Sequence, residues 1–192
     1  MPTFKLRSDT NSVRENGSTT GNVLQNDSLA TQVTQIKAGT GLFEDVPSSG
    51  WTITGLYGSL TINPNGSYTY VTSDATNALK AGSTASDTFT YTATGGSASG
   101  STTLKFTVTG VNDAPVLVTD PVTFSTITED QTTNSGRSVS SFLNSTDVDS
   151  GALRGIAITS LASGNGQWQY STDSRTTWSS VGSVSDSSAL LL

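Results

Sequence analysis

Gly58-Ser59-Leu60-Thr61-Ile62-Asn63-Pro64-Asn65-Gly66-Ser67-Tyr68-Thr69-Tyr70 decides the fold by its alternation. Leu60 and Ile62 flank Thr61, and Tyr68 and Tyr70 flank Thr69. A period of two places each apolar pair on one face of a strand and the threonine on the other. Between the two runs, Asn63-Pro64-Asn65-Gly66 is a hairpin signal, and Asn65-Gly66 predicts the positive φ angles of a type I′ turn. Moving outward, Phe89 and Tyr91 repeat the alternation. Leu104, Phe106 and Val108 do the same, with Lys105 on the outer face. Trp51 stands just before Thr52-Ile53-Thr54 and marks a strand start. Asp74 to Leu79 reads as one short helical turn capped by Asp74, with Gly82 as its stop.

The second half continues in this style. Val122, Phe124, Ser125 and Ile127 predict a first strand. Ile156 and Ile158 flank Ala157, Trp168 and Tyr170 flank Gln169, and Trp178 and Val181 come later. Gly164-Asn165-Gly166 and Thr172-Asp173-Ser174 read as turns. A weak internal repeat links the halves: Ser12-Val13-Arg14-Glu15-Asn16 echoes Thr126-Ile127-Thr128-Glu129-Asp130. Leu24 to Asp27 likewise echoes Leu143 to Asp147. Many short strands separated by turn signals predict an all-β chain of tandem β-sandwiches. The first is expected over residues 8–113 and the second over 114–192. Ala189-Leu190-Leu191-Leu192 reads as a strand cut in its middle, so the second sandwich is expected to be incomplete, with an open edge. The chain is accordingly expected to be an excerpt of a longer protein.

Composition narrows the chemistry. The chain has 192 residues, 33% hydrophobic and 12% charged, with Ser, Thr, Gly and Asn filling the difference. It has no cysteine and no histidine. Disulfides and Ser–His or Cys–His catalysis are therefore excluded, and the commonest ligand for zinc, copper or non-haem iron is missing. The formal charge of −6, with nine scattered Lys and Arg, argues against nucleic acid as a partner. No run of about 18 apolar residues is present, so no membrane span is expected. Met1-Pro2-Thr3-Phe4-Lys5 lacks the apolar core of a secretory signal. For catalysis there remains a carboxylate pair, as in glycosidases. The acids stand mainly at predicted turns and at one junction, and no enzyme is expected. An isopeptide crosslink is disfavoured by Lys105, which the alternation turns outward.

That junction is Gly110-Val111-Asn112-Asp113-Ala114-Pro115. Asn112 and Asp113 can offer side-chain oxygens to a hard cation, and Pro115 stiffens the exit. A linker of this kind points to calcium setting the angle and rigidity between two domains, a mechanical role.

Four stretches resemble the VCBS repeat of large bacterial surface proteins: Gly21-Asn22-Val23-Leu24-Gln25-Asn26-Asp27, Gly55 to Ile62, Asn65 to Tyr70, and Ser86-Asp87-Thr88-Phe89-Thr90-Tyr91. Val111 to Pro115 is similar to the calcium-binding junction of cadherins, and Asp147-Val148-Asp149 to the cadherin DxD motif. Gly166-Gln167-Trp168-Gln169-Tyr170-Ser171 resembles a second repeat type found in the same proteins.

The resemblance implies cadherin-like (Ig-like) β-sandwiches in a long RTX-type adhesin, exported by type I secretion and held at the bacterial cell surface for adhesion or biofilm formation. Its partners would be neighbouring repeats of the same chain and a glycan or protein of a host surface or matrix. It also implies a Ca2+ site drawing on Glu15 and Asp87 from the first domain, Asn112 and Asp113 from the linker, and Asp147 and Asp149 from the second. The chain departs from the cadherin pattern in having no acidic pair equivalent to the DRE motif, and Gly110 rather than an acid at the first linker position. The rival reading is a carbohydrate-binding module stacking sugars on Trp51, Trp168 and Trp178 beside Tyr170. Against it stands an inward-facing, core role for Trp168 and Tyr170.

Overall fold

Alternation becomes pairing throughout residues 9–109 of the computed structural model, which describes residues 3–117, 122–131, 133–162 and 164–192. Nine strands form there: β1 (Asp9–Arg14), β2 (Ser18–Asn22), β3 (Gln32–Ala38), β4 (Glu44–Asp45), β5 (Trp51–Thr54), β6 (Gly58–Ile62), β7 (Ser67–Thr72), β8 (Thr84–Gly95) and β9 (Ala98–Thr109). They make a five-stranded sheet, β1-β9-β8-β3-β4, and a four-stranded sheet, β2-β7-β6-β5. All pairs are antiparallel except β1 with β9, which run parallel from Asp9 opposite Leu104 to Arg14 opposite Thr109.

The predicted inward residues form the core. Leu60, Ile62, Tyr68 and Tyr70 come from one sheet, and Phe89, Tyr91, Leu104, Phe106 and Val108 from the other. Tyr70 and Phe106 stack across the two sheets at 4.1 Å with 9° between ring planes, while Tyr68 meets Phe106 edge-on at 5.5 Å. Aromatic pairs of this kind contribute about 0.5–1.5 kcal/mol beyond the area they bury. Thr61, Thr69 and Lys105 face solvent.

Two local expectations are corrected. The β6–β7 hairpin does not use a type I′ turn. Gly66 N–H closes the turn on Asn63 O at 2.9 Å, so Pro64 and Asn65 are its central residues. Only Gly66 takes a positive φ, +84°. This is a type I turn followed by a left-handed bulge residue. Pro64 dictates the choice, because its ring fixes a negative φ at the first central position, where type I′ needs a positive one. Asp74 is likewise not a cap. It opens a 3-10 turn, Asp74–Thr76, whose N-cap is Ser73 in extended conformation with no capping side-chain bond.

The chain divides into two compact units. The first comprises 1–114 together with Val148–Gly151, and the second Pro115–Asp147 together with Ala152–Leu192. Met1 and Pro2, at the start of the stretch read as lacking an apolar leader, lie outside the described residues.

Among the described residues, the second unit pairs in two-residue steps, β10 (Val116–Leu117) with β11 (Ser145–Thr146), β12 (Ala157–Ile158) with β15 (Leu190–Leu191), and β13 (Gln169–Tyr170) with β14 (Ser179–Ser180), together with one isolated bridge between Ser185 and Ser188. The strand predicted from Val122, Phe124, Ser125 and Ile127 is absent. Its alternation is out of phase, since a strict period of two would put Ile127 on the face opposite Val122 and Phe124. Phe124 instead packs edge-on against Phe142 and Trp168, at 5.8 and 5.5 Å. Arg137 lies 5.5 Å over the Phe142 ring and donates to Thr123 O. Among the described residues, no helix is long and apolar enough to cross a membrane.

Candidate functional site

β1 ends at Arg14, and the next residue turns its side chain inward. Glu15 is 4% exposed, and neither carboxylate oxygen has a hydrogen-bond partner. Its backbone is fixed by the parallel pairing, with Glu15 N–H donating to Thr109 O at 3.0 Å. The chain leaving β9 therefore starts beside Glu15 and reaches Asp113 four residues later. There Asp113 N–H donates to Asp149 Oδ2 at 3.0 Å. Ser150 N–H in turn donates to Ala78 O at 3.1 Å, which ties the 148–151 segment to the stretch after the 3-10 turn. Asp113 Oδ2 and Asn77 Oδ1 are also buried without hydrogen-bond partners. The segments bearing Glu15, Asn77, Asp113 and Asp149 are thus linked, pair by pair, through backbone groups of the first unit.

The six expected ligands are distributed unequally. Asp113 and Asp149 are brought together, and Glu15 lies beside the strand that leads to them. Asn112 is exposed, with its Nδ2 donating to Asp113 O at 2.7 Å. Asp147 is half-buried in the second unit, and both Asp147 and Asp149 engage in further interactions. Asp87 has a full set of protein donors: Leu56 N–H on Oδ1 at 2.8 Å, and Tyr57 N–H and the Tyr70 hydroxyl on Oδ2 at 3.0 and 2.8 Å. It pins the 55–57 loop to the core, and burial together with Asp87 pushes the Tyr70 phenol well above its ordinary range. Among the described residues, no three acidic side chains form a ready-made metal cage.

Gly110, which departs from an acidic linker, has a steric reason for doing so. A Cβ there would lie 2.5 Å from the carbonyl oxygens of both Leu79 and Lys80. The close approach lets Gly110 N–H donate to Ser83 O and Gly110 O accept from Gly82 N–H, each at 2.9 Å. Backbone packing, rather than ligation, sets this position.

Asn77 was not legible as a site residue. Its local signal is that of any polar residue closing a turn, and nothing in that signal announces a buried side-chain oxygen. The three tryptophans are each about 40% exposed, and two of them use their ring nitrogens in hydrogen bonds. Trp51 Nε1–H donates to Glu44 Oε2 at 2.7 Å, and Trp168 Nε1–H to Ala162 O at 3.0 Å. Trp178 covers Gly136, where a Cβ would meet its ring. Trp168 and Tyr170 are not core either: Trp168 is 40% exposed and Tyr170 half-buried.

A buried, unpaired carboxylate costs several kcal/mol. Native structures rarely leave such oxygens bare, and an ion or water is the usual remedy. The donor set here is all oxygen, hard and acidic, which suits calcium and excludes the softer metals. No family model and no curated protein matches the chain.

Proposed function

We propose that the chain is a structural segment of a secreted bacterial adhesin, a non-catalytic extender made of tandem cadherin-like modules and stabilised by calcium. Its setting would be the bacterial cell surface, reached by type I secretion, where it would support adhesion or biofilm formation. Neighbouring repeats of the same chain, and a surface or matrix glycan or protein, would be its partners. The resemblance of residues 21–27, 55–62, 65–70 and 86–91 to the VCBS repeat supports the family. The observation that carries the metal is Glu15, a buried carboxylate with both oxygens unpartnered.

Glu15, Asn77 and Asp113 would hold the ion, with the Asp149 carboxylate beside Asp113. Calcium takes six to eight oxygens, and water would complete the shell. When bound, calcium supplies charge neutralisation and no reaction chemistry. The protein's part is to order residues 110–114 against the end of β1 and to hold the 148–151 segment in place. Extracellular modules bind calcium at about 0.1–1 mM, so such a site fills outside the cell and empties in the cytosol.

The test is thermal melting with calcium, with magnesium and with chelator. Saturating calcium at about 100 times Kd contributes about 2.7 kcal/mol, a rise of roughly 10 °C or more for a domain of this size. Magnesium, which demands a tighter octahedral shell, should produce a much smaller rise. Glu15→Gln should abolish the calcium response and, in chelator, melt no lower than the parent, because it removes an unpaired buried charge. A parent protein that melts at one temperature in calcium and chelator alike would end the calcium reading.

A further inference from the structure

Away from Glu15, a second group of acids gathers on a buried phenol. Tyr91, on β8, is fully buried, and its hydroxyl meets four acceptors: Asp9 Oδ2 at 3.0 Å, Asp27 Oδ2 at 3.0 Å, Val23 O at 3.2 Å and Arg7 O at 3.5 Å. A phenol carries one hydrogen and can give it to only one of them. With both carboxylates ionised, one carboxylate oxygen would face the phenol oxygen with no hydrogen between them, in a half-buried site where that repulsion is poorly screened.

The two acids are not equivalent. Asp27 Oδ1 accepts Arg7 N–H at 2.7 Å, a short main-chain bond. Asp9 has no main-chain donor of this kind among the described bonds. The charged groups nearby do not relieve it. Lys105, on the adjacent strand β9, lies on the outer face, and Arg7 contributes only its backbone. Tyr68, on β7, is the other titratable group, and burial first, then Asp9, raises its phenol while Asn11 donates to its hydroxyl at 2.9 Å. Asn26, beside Asp27, is uncharged.

We propose that Asp9 and Asp27 hold one proton between them through the Tyr91 hydroxyl, and that this proton clasps the entering segment 7–9 onto the core. Asp9 carries it and donates to Tyr91 Oη, and Tyr91 donates in turn to Asp27 Oδ2. Burial, and then the Asp27 charge, push Asp9 up from 3.8 to about 6, against the opposing pull of hydrogen bonds from Tyr91 and Asn26. The folded state therefore keeps a proton that the unfolded chain has already lost between those two values. The clasp is complete at the acid end of this window, weakens as pH rises through about 6, and is largely lost by neutral pH. The unit thus carries a device that tightens its own N-terminal entry on mild acidification.

The test is a carbon-detected NMR titration of the aspartate carboxyls in chelator, so that no divalent cation replaces the proton. Asp9 is expected to titrate near 6 in the parent. In Asp27→Asn its midpoint should fall by at least about half a unit, since the neighbouring charge is gone. Asp9→Asn, which keeps a donor facing Tyr91, should make melting less dependent on pH between about 5 and 7.5 than in the parent. A parent Asp9 titrating near 3.8, or one whose midpoint is the same in Asp27→Asn, overturns the proposal. The parent titration decides the first point even if a variant fails to fold.

Discussion

The strands β8 and β9 run for 12 residues each, whereas among the described residues every strand of the second unit runs for two, although both regions are built from much the same Ser, Thr, Gly and scattered apolar residues. The difference lies in what answers each strand across the core. In β8 and β9, Phe89, Tyr91, Leu104, Phe106 and Val108 keep phase and meet Leu60, Ile62, Tyr68 and Tyr70 from the facing sheet. Every buried apolar side chain among the described residues lies between Val13 and Val108. The second unit instead leaves Val116, Leu117, Ile127, Leu153 and Leu191 more than half exposed. Apolar content alone therefore does not make a core; apolar residues must repeat in phase on two surfaces that face each other.

Five experiments can break or sharpen that contrast. Hydrogen exchange should show the largest effect, with central amides of β8 and β9 exchanging at least about a thousand-fold more slowly than those of β12 to β15. Equal protection in the two units would dissolve the comparison. Next, Phe106→Ala should cost the first unit about 3–5 kcal/mol in urea unfolding, because it deletes the ring on which Tyr70, Tyr68 and Phe89 converge. Phe124→Ala, at a residue 49% exposed, should cost no more than about 1 kcal/mol by the same measurement. Asp87→Asn should cost about 1–3 kcal/mol, since an amide cannot accept from Leu56, Tyr57 and Tyr70 as the carboxylate does. Gly66→Ala should cost the first unit about 1 kcal/mol or somewhat more, from its φ of +84° and crowding against Leu24.

Much of the first unit was legible because its information is local. Thr61 between Leu60 and Ile62, or Lys105 between Leu104 and Phe106, fixes which side faces in. The β6–β7 hairpin was legible as a hairpin, but its turn type was not, because Asn65-Gly66 was read without the constraint that Pro64 places on the preceding position. The parallel β1–β9 pairing had no local signature, since it joins residues about a hundred positions apart. The candidate site was legible in part for the same reason. Asp113 and Asp149 could be picked out as acids near a junction. That Asp87 is consumed by the 55–57 loop depends on a segment distant in sequence. The Asp9–Tyr91–Asp27 group is a further case: three separate elements meet at one hydroxyl, and no spacing rule announces it.

The side-by-side, same-direction arrangement of β1 and β9 has a consequence for force. The first of these strands opens the unit and the second closes it, so a pull on its two ends drags them past each other lengthwise. All the hydrogen bonds from Asp9–Leu104 to Arg14–Thr109 are then loaded at once, in shear, instead of opening one after another like a zipper. A module wired in this way resists traction along its length better than one whose terminal strands unzip bond by bond.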